Sequence, residues 1–480
     1  MKNGIAFGSA GWRGKLDDDF AEENVARIAH AFVRYLSQQH PSAKCKVAIG
    51  FDGRTSSGEF ASLIAKVLAE NGIEVLLSSG VVPTPVLSFA TMHNGCTSGI
   101  MVTGGDLPPE YNGMEFKGAY GGPFTSEATA KIKAFLFDLS KKPAGSSSAS
   151  HKDITLIDFL PDYHSHLETL IDFSALRSFA ENPKNNANVL IDSMGGACQT
   201  IIEDILVSCG WRAQTLFGTP EAQFFDRCPE SVPMNLDALK YNVKVVDAQF
   251  GVATDGDGSR CCIVYNDGVW MNAQDTMLAL LWHLHDQKRW RGSFLKSVSM
   301  TDKVKRLCNS WKIPLIDLGF ESGVEEMQKA ECLLGIMGRG GFCYGRHIPE
   351  SDGILSGLFV AEMIAKAVKP LHEITEEIWN AVGRVHYDSM DVNYDAFAFN
   401  RSIEGILNFP RKDLISIGKY HLEKYELERR VCGLKLQWAD CRWLLIELLP
   451  FKPVIRLHCE GLSKEDVSTI LEAGMKCLKT

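Results

Sequence analysis

An α/β architecture built from several similar units is what this sequence predicts, and three observations carry that reading. Strand-like apolar runs alternate with helical periodicity through residues 46–105, the pattern of a mostly parallel sheet covered by helices. The alternation restarts after a Ser-rich stretch at 140–153 and once more near residue 274. After Pro370 it stops, and mixed strands and helices follow. A chain of 480 residues exceeds what one ordinary core organises. The expected domains are 1–150, 151–273 and 274–372, alike and α/β, with a distinct α+β unit at 373–480.

Each element has a local cause. KVAIGFDG (46–53) reads as a strand ending in a turn. SSGEFASLIAKVLAENG (56–72) brings serine caps, apolar residues at helical spacing and a glycine stop. IEVLLSSG (73–80) and SGIMVTGG (98–105) are the next strands. The second of these runs into DLPPEYNG: Thr103-Gly104-Gly105-Asp106 is turn chemistry, Pro108-Pro109 stiffens the exit, and Asn112-Gly113 marks a second turn. A loop held at the end of a strand is where α/β enzymes place reactive groups. The tip of this one, Gly104-Gly105, carries no hydroxyl, thiol or imidazole.

In the second unit, NVLIDSMGGA (188–197) is a strand and glycine turn, followed by a helix through Cys209-Gly210 and a strand around AQTLFG. Residues 246–270 hold a strand, an acidic loop and a hairpin closed by Asn266-Asp267-Gly268. The third unit contains SFLKSVSM (293–300), a helix to about Trp311, the strand IPLIDLG (313–319) and ECLLGIMGRGGF (331–342). SDGILSGLFVAEMIAKAV (351–368) is expected as an amphipathic helix. In the last unit WLLIELLPFKPVIRLHCEG (443–461) is strand, proline-broken loop and strand, and a closing helix starts at a Ser463 cap.

Composition narrows the partners. Hydrophobic residues at 45% and charged residues at 23% are ordinary for a globular chain. A net charge of −9 argues against nucleic acid, which wants a basic surface. The 14 cysteines form no CxxC pair, so free thiols in a reducing, intracellular compartment are expected: the cytoplasm, or an organelle after loss of a presequence. No apolar run is long enough for a membrane span.

The signposts, in order, resemble the α-D-phosphohexomutase superfamily of phosphoglucomutases, phosphomannomutases and phosphoglucosamine mutases. FGSAGWRG (7–14) is similar to its FGTSGIRG-type motif, GFDGRTSSGEFA to GxDxRxSSxxxA, and VVPTPVLSFA (81–90) to PTPxxxFA. PPEYNG matches the end of TASHNPPEYNG, TDGDGSR the metal loop DGDxDR, and GRHIPESDGIL the GDHIPEKDGIL segment. The resemblance implies a four-domain fold in which a phosphoserine and Mg²⁺ move phosphate on a bound hexose phosphate.

The same resemblance shows what the chain lacks. In the loop at 103–108 the phosphorylated serine falls on Gly105 and its neighbouring histidine on Asp106; Thr103 and Asp106 are the substitute nucleophiles. In the loop at 255–260 Asp255 and Asp257 remain, but Ser259 stands at the third carboxylate, which weakens any Mg²⁺ site. In the sugar loop at 335–342 two glutamates and a serine become Met337, Gly338 and Arg339, and an acid/base lysine falls on Glu321. In the phosphate loop, ELLPFKPVIR (447–456), arginine becomes Glu447 and Ser-Gly-Thr becomes Leu449-Pro450-Phe451, leaving Lys452 and Arg456 positive.

Arg13, Asp52, Arg54, Arg260 and His347 persist at motif positions, and Ser9 persists in a turn. Arg13, Arg54, Arg260, His347 and Arg456 are therefore the candidate binding residues for a hexose phosphate or another small anion. Asp52 and Arg54 also read as caps of the helix near Ser57, and Arg260 as the partner of a neighbouring carboxylate. The leading expectation is a pseudoenzyme acting through binding or assembly. The alternatives are a divergent sugar-phosphate enzyme using Asp106 with Asp255 and Asp257, and a structural subunit that pairs with an active relative through LLPFKP.

Overall fold

The fold is given by a computed structural model, which describes residues 7–8, 11–42, 44–137, 153–319, 323–329, 331–336, 340–393, 416–417, 420–428, 433–438, 441–449 and 454–479. The stretch 140–152, Ser9, Glu321, Met337 to Arg339 and Pro450 to Lys452 lie outside the described residues.

Four sheets follow one another along the chain. The first runs in the order Gly11–Lys15, Tyr111–Gly118, Ser98–Val102, Lys46–Phe51, Glu74–Ser78, Ile154–Ile157. Its last four strands pair in parallel and its first two join antiparallel. Ile154–Ile157 follows the Ser-rich stretch yet pairs with Glu74–Ser78, so the first sheet reaches past the border read at 150. The second sheet is Trp270–Met271, Cys261–Tyr265, Phe250–Thr254, Asn188–Asp192, Arg212–Leu216, and the third Leu315–Gly319, Ser293–Ser297, Cys332–Ile336, Phe342–Tyr344. Both again have a parallel centre and an antiparallel flank. The fourth sheet, from His386–Asn393 to Ser416–Ile417, is antiparallel throughout.

This repetition places the site. In each of the first three sheets a central strand turns into its antiparallel neighbour: Ser98–Val102 into Tyr111–Gly118, Phe250–Thr254 into Cys261–Tyr265, and Cys332–Ile336 into Phe342–Tyr344. The motif loops are these three turns. In the fourth sheet, Trp443–Leu449 and Val454–Gly461 pair antiparallel.

Three local readings are corrected. Asn112-Gly113 is no turn but part of the strand Tyr111–Gly118, where the Asn112 side chain donates to Ser57 Oγ at 2.9 Å. Gly353–Ala367 is not amphipathic: every residue from Gly353 to Ala365 is buried. The helix is covered by second-domain elements, including Phe173–Glu181 and Cys261–Tyr265, and by the third-domain helix Ala273–Trp282. Leu371–Val382 packs on Ala273–Trp282 and Val304–Trp311, which carries the third unit beyond 372. The Ser463 cap is present, its hydroxyl accepting from Asp466 N at 3.1 Å. Among the described residues no helix is long and apolar enough to cross a membrane.

Candidate functional site

The first loop is built by a buried arginine. Arg54 is 3% exposed, and its five side-chain N–H groups all donate. Nη1 reaches Pro108 O (2.8 Å) and Tyr111 O (3.0 Å), Nη2 reaches Gly105 O (2.7 Å) and Leu107 O (2.8 Å), and Nε reaches Asp52 Oδ2 (3.1 Å). The Phe224 ring of the second domain lies 4.7 Å from the guanidinium. Arg54 is thus a clamp on the loop, with no donor left over for an anion.

Asp52 completes the clamp. It accepts from Arg54 N (3.1 Å), Ser57 Oγ (2.8 Å) and Thr103 Oγ1 (2.7 Å). Burial raises its carboxyl pKa, opposed by Arg54 and the hydroxyl donors. Ser56, the residue before the helix Ser57–Glu70, makes no side-chain cap; Asp52 accepts from the Ser57 hydroxyl and Arg54 O from Ser57 N at 3.2 Å, so the two residues hold the helix start as well as the loop. Thr103 is fully buried, donating to Asp52 and accepting from Gly105 N (2.9 Å).

Gly105 sits at the tip with φ +60°, and a Cβ there would lie 2.8 Å from Arg13 Nη2. The charge at the tip comes instead from Asp106. Its carboxylate pairs with Arg260 Nη1 at 2.6 Å and faces Arg13 Nη1 at 3.9 Å. Arg13 also pairs with Glu115 (2.5 Å), Glu115 with Lys117 (3.1 Å), and Lys117 with Glu350 of the third domain (2.7 Å). Against burial, which raises it, Lys117 and Arg13 hold the Glu115 carboxyl down at about 2.

The second loop meets the first directly. A Cβ on Gly256 would lie 2.8 Å from Gly105 O, and Thr84 Oγ1 of the first domain donates to Asp257 Oδ2 at 2.7 Å. Asp257 Oδ1 accepts from Ser259 N (3.1 Å); Asp255 accepts from Arg260 N (3.0 Å) and Ser259 Oγ (3.3 Å). Burial first, then the charge of Asp257, pushes the Asp255 carboxyl well above its ordinary range.

This donor set does not fit Mg²⁺. Among the described residues no three His, Cys, Asp or Glu side chains form a metal-holding group. The four oxygens of Asp255 and Asp257 already accept hydrogen bonds, the third position is a serine that donates into the pair, and the adjacent charge is the Arg260 guanidinium. A hard dication wants oxygen ligands and anionic charge turned toward one centre.

Two further candidates lie elsewhere. His347 is buried at a domain seam, bonded to Asp352 (2.9 Å) and to His166 (2.9 Å). Asp352 also caps Gly353–Ala367 by accepting from Leu355 N at 2.8 Å. Arg456 pairs with Asp391 (2.6 Å) and, across domains, with Glu230 of the second (3.1 Å). Glu447 accepts from His458 Nε2 at 3.0 Å. Thr84, Phe224, Glu230 and Asp391 escape sequence reasoning: all are long-range partners, and only Thr84 sits in a motif, PTP, that flags it.

The comparisons agree over the whole length. Residues 4–142, 161–268 and 272–382 match alpha/beta/alpha domains I, II and III of phosphoglucomutase/phosphomannomutase. The Methanosphaera stadtmanae protein named "Probable phosphoglucosamine mutase" is 26% identical over 481 residues, with 97% of this chain and 96% of that one covered. The Thermococcus kodakarensis phosphoglucomutase/phosphomannomutase is 24% identical, with 99% of each chain covered. A crystal structure of a phosphomannomutase-type protein from Thermus thermophilus superposes with TM-score 0.83 at 27% identity, over 100% of both chains. The open form of the Paramecium phosphoglucomutase pp63/parafusin shares the fold, with TM-score 0.78 at 17% identity over 99% of this chain and 95% of that one.

Proposed function

This chain belongs to the phosphoglucomutase/phosphomannomutase family, and from that premise we propose that it is a member without mutase turnover, acting by binding or assembly. One observation carries the reading. At the tip of the loop the position of the phosphoryl acceptor is held by Gly105, and the adjoining Asp106 carboxylate already neutralises Arg260 and faces Arg13. Phosphoryl transfer is almost wholly positioning and charge stabilisation around an in-line oxygen. Here the oxygen is gone and an internal carboxylate occupies the cations that would stabilise a transferring group.

Other features support the same reading. Thr103 is locked to Asp52, and Asp106 is held by an arginine, so neither is free to attack. Arg54, Arg456 and His347, expected to hold a hexose phosphate, are bound to the chain's own carbonyls, carboxylates and His166. The relatives bear the names of phosphoglucosamine mutase and phosphoglucomutase/phosphomannomutase, which supplies the reaction to test. Purified protein is assayed for interconversion of glucose, mannose and glucosamine 1- and 6-phosphates with glucose 1,6-bisphosphate and Mg²⁺, and residues 99–113 are mapped by mass. No turnover and no phosphopeptide are expected. Turnover above a mock purification, or phosphate on Thr103 or Asp106, overturns the reading.

A further inference from the structure

A cavity of about 320 Å³ lies where the second, third and fourth domains meet, within the size range of small-molecule sites. Its walls carry Trp270 and Met271 from the second domain and Met300 and Phe342 from the third. Met234, on a second-domain loop, lines it too and is 76% exposed, so the cavity reaches the surface there.

Among the described residues, the cations on the walls are already matched. Arg260 pairs with Asp106 at 2.6 Å, and Arg456 with Asp391 at 2.6 Å and Glu230 at 3.1 Å. His458 bonds to the Tyr387 hydroxyl (2.7 Å) and to Glu447 (3.0 Å). Asp388 is exposed to water and accepts from Ser389 N at 2.8 Å.

A phosphate ester entering this space loses its hydration and meets cations whose charge is spent on internal carboxylates. An apolar molecule instead exchanges water contacts for aromatic and thioether surface.

We infer that this cavity is a binding site for a small, uncharged, mainly apolar molecule, and that it rejects phosphate esters. The choice of ligand rests on the non-catalytic reading above. The two fail separately, because binding here is measured without any turnover assay.

The test is calorimetric titration of the full chain with 2-naphthol as probe. Saturable binding of one molecule per chain is expected, with no displacement by a tenfold excess of glucose 1-phosphate or glucose 1,6-bisphosphate. Met300→Trp fills the wall, and Met234→Asp places a charge at the mouth on an exposed residue with little consequence for folding. Each is expected to weaken the probe about tenfold, equivalent to about 1.4 kcal/mol. Absence of saturable binding, displacement by either hexose phosphate, or unchanged affinity in both variants overturns the assignment.

Discussion

The loops at 103–110 and 255–260 occupy the same place in two similar domains, each turning a central strand into its antiparallel neighbour. They have diverged in opposite ways. In the first, the scaffold is complete: Arg54 holds four loop carbonyls and Asp52 fixes Thr103, yet the residue that scaffold presents is a glycine. In the second, two of three expected carboxylates survive, and their oxygens accept from Ser259, Arg260 N and Thr84 of the first domain. Residues that shape a loop contribute to folding whether or not the loop reacts, whereas a reactive residue is retained only while its chemistry matters. The legible motif and the proposed loss of turnover therefore belong to different sets of side chains.

The largest effect expected from this contrast is at Arg54. Arg54→Met leaves Asp52 as a buried carboxylate without its cation and takes a donor from each of four carbonyls, of which Pro108 O keeps Tyr111 N, a loss of about 3–5 kcal/mol. Thermal unfolding is expected to begin in the first domain, with amides of residues 103–108 losing protection from hydrogen exchange. A variant as stable as the parent would mean that the loop holds its shape without the clamp.

The two loops also carry opposite pH signatures. Glu115 behind the first loop is held at about 2, below its ordinary 4.5. It contributes stability that is present above about 4.5 and lost as pH falls toward 2. Asp255 in the second loop is raised above its ordinary 3.8 by burial and then by Asp257. Its folded form holds a proton that the unfolded chain releases, so stability falls as pH rises from about 3.8 through the raised value. Melting temperatures across this range are expected to lose acid sensitivity in Glu115→Gln and to gain stability toward neutral pH in Asp255→Asn. Parallel profiles for the two variants would erase the distinction between the loops.

Asp106 joins the two regions, and its removal is expected to cost less. Asp106→Ala leaves Arg260 without its 2.6 Å partner, at about 2–3 kcal/mol. Added inorganic phosphate is expected to raise the melting temperature of this variant and leave the parent unmoved, since a ligand stabilises only the state that binds it. Equal response in both would show that Asp106 does not occupy an anion position.

Much of this arrangement was legible in the chain, and what was not has a common cause. The strand-turn-strand settings of Gly105 and Asp255 follow from local pattern and motif order; that Arg260 pairs with a carboxylate was expected, but its partner, Asp106, lies in another domain. The duties of Arg54 and Arg456 do not. Arg54 bonds carbonyls more than fifty residues away, and Arg456 meets Glu230 226 residues away, and no local periodicity encodes such distances. The helix Gly353–Ala367 misled for the same reason: its expected polar face is covered by elements from another domain. Sequence pattern reports which side of an element is apolar, and tertiary packing decides how many sides are buried.

The smallest expected effect on stability, and the sharpest on the comparison, is Gly105→Ser. The new side chain must sit at φ +60°, with its Cβ 2.8 Å from Arg13 Nη2. Such a backbone costs a non-glycine residue roughly 1–2 kcal/mol, and Arg13 must withdraw from its contact with Glu115 as well. Restoring the hydroxyl alone is expected to give no phosphoserine after incubation with glucose 1,6-bisphosphate and no mutase turnover. Asp106 still holds Arg260, Ser259 still stands at the third carboxylate, and Asp255 still faces its own loop. Groups that act as a unit on one transferring phosphoryl do not add, so a single repair recovers little. Adding Ser259→Asp and Glu321→Lys to this variant is expected to permit phosphorylation from the bisphosphate, read by intact mass, without efficient turnover. If Gly105→Ser alone became phosphorylated and turned over, one missing hydroxyl would account for the proposed loss of turnover, and the hydrogen-bonded carboxylates of the neighbouring loop would be incidental to it.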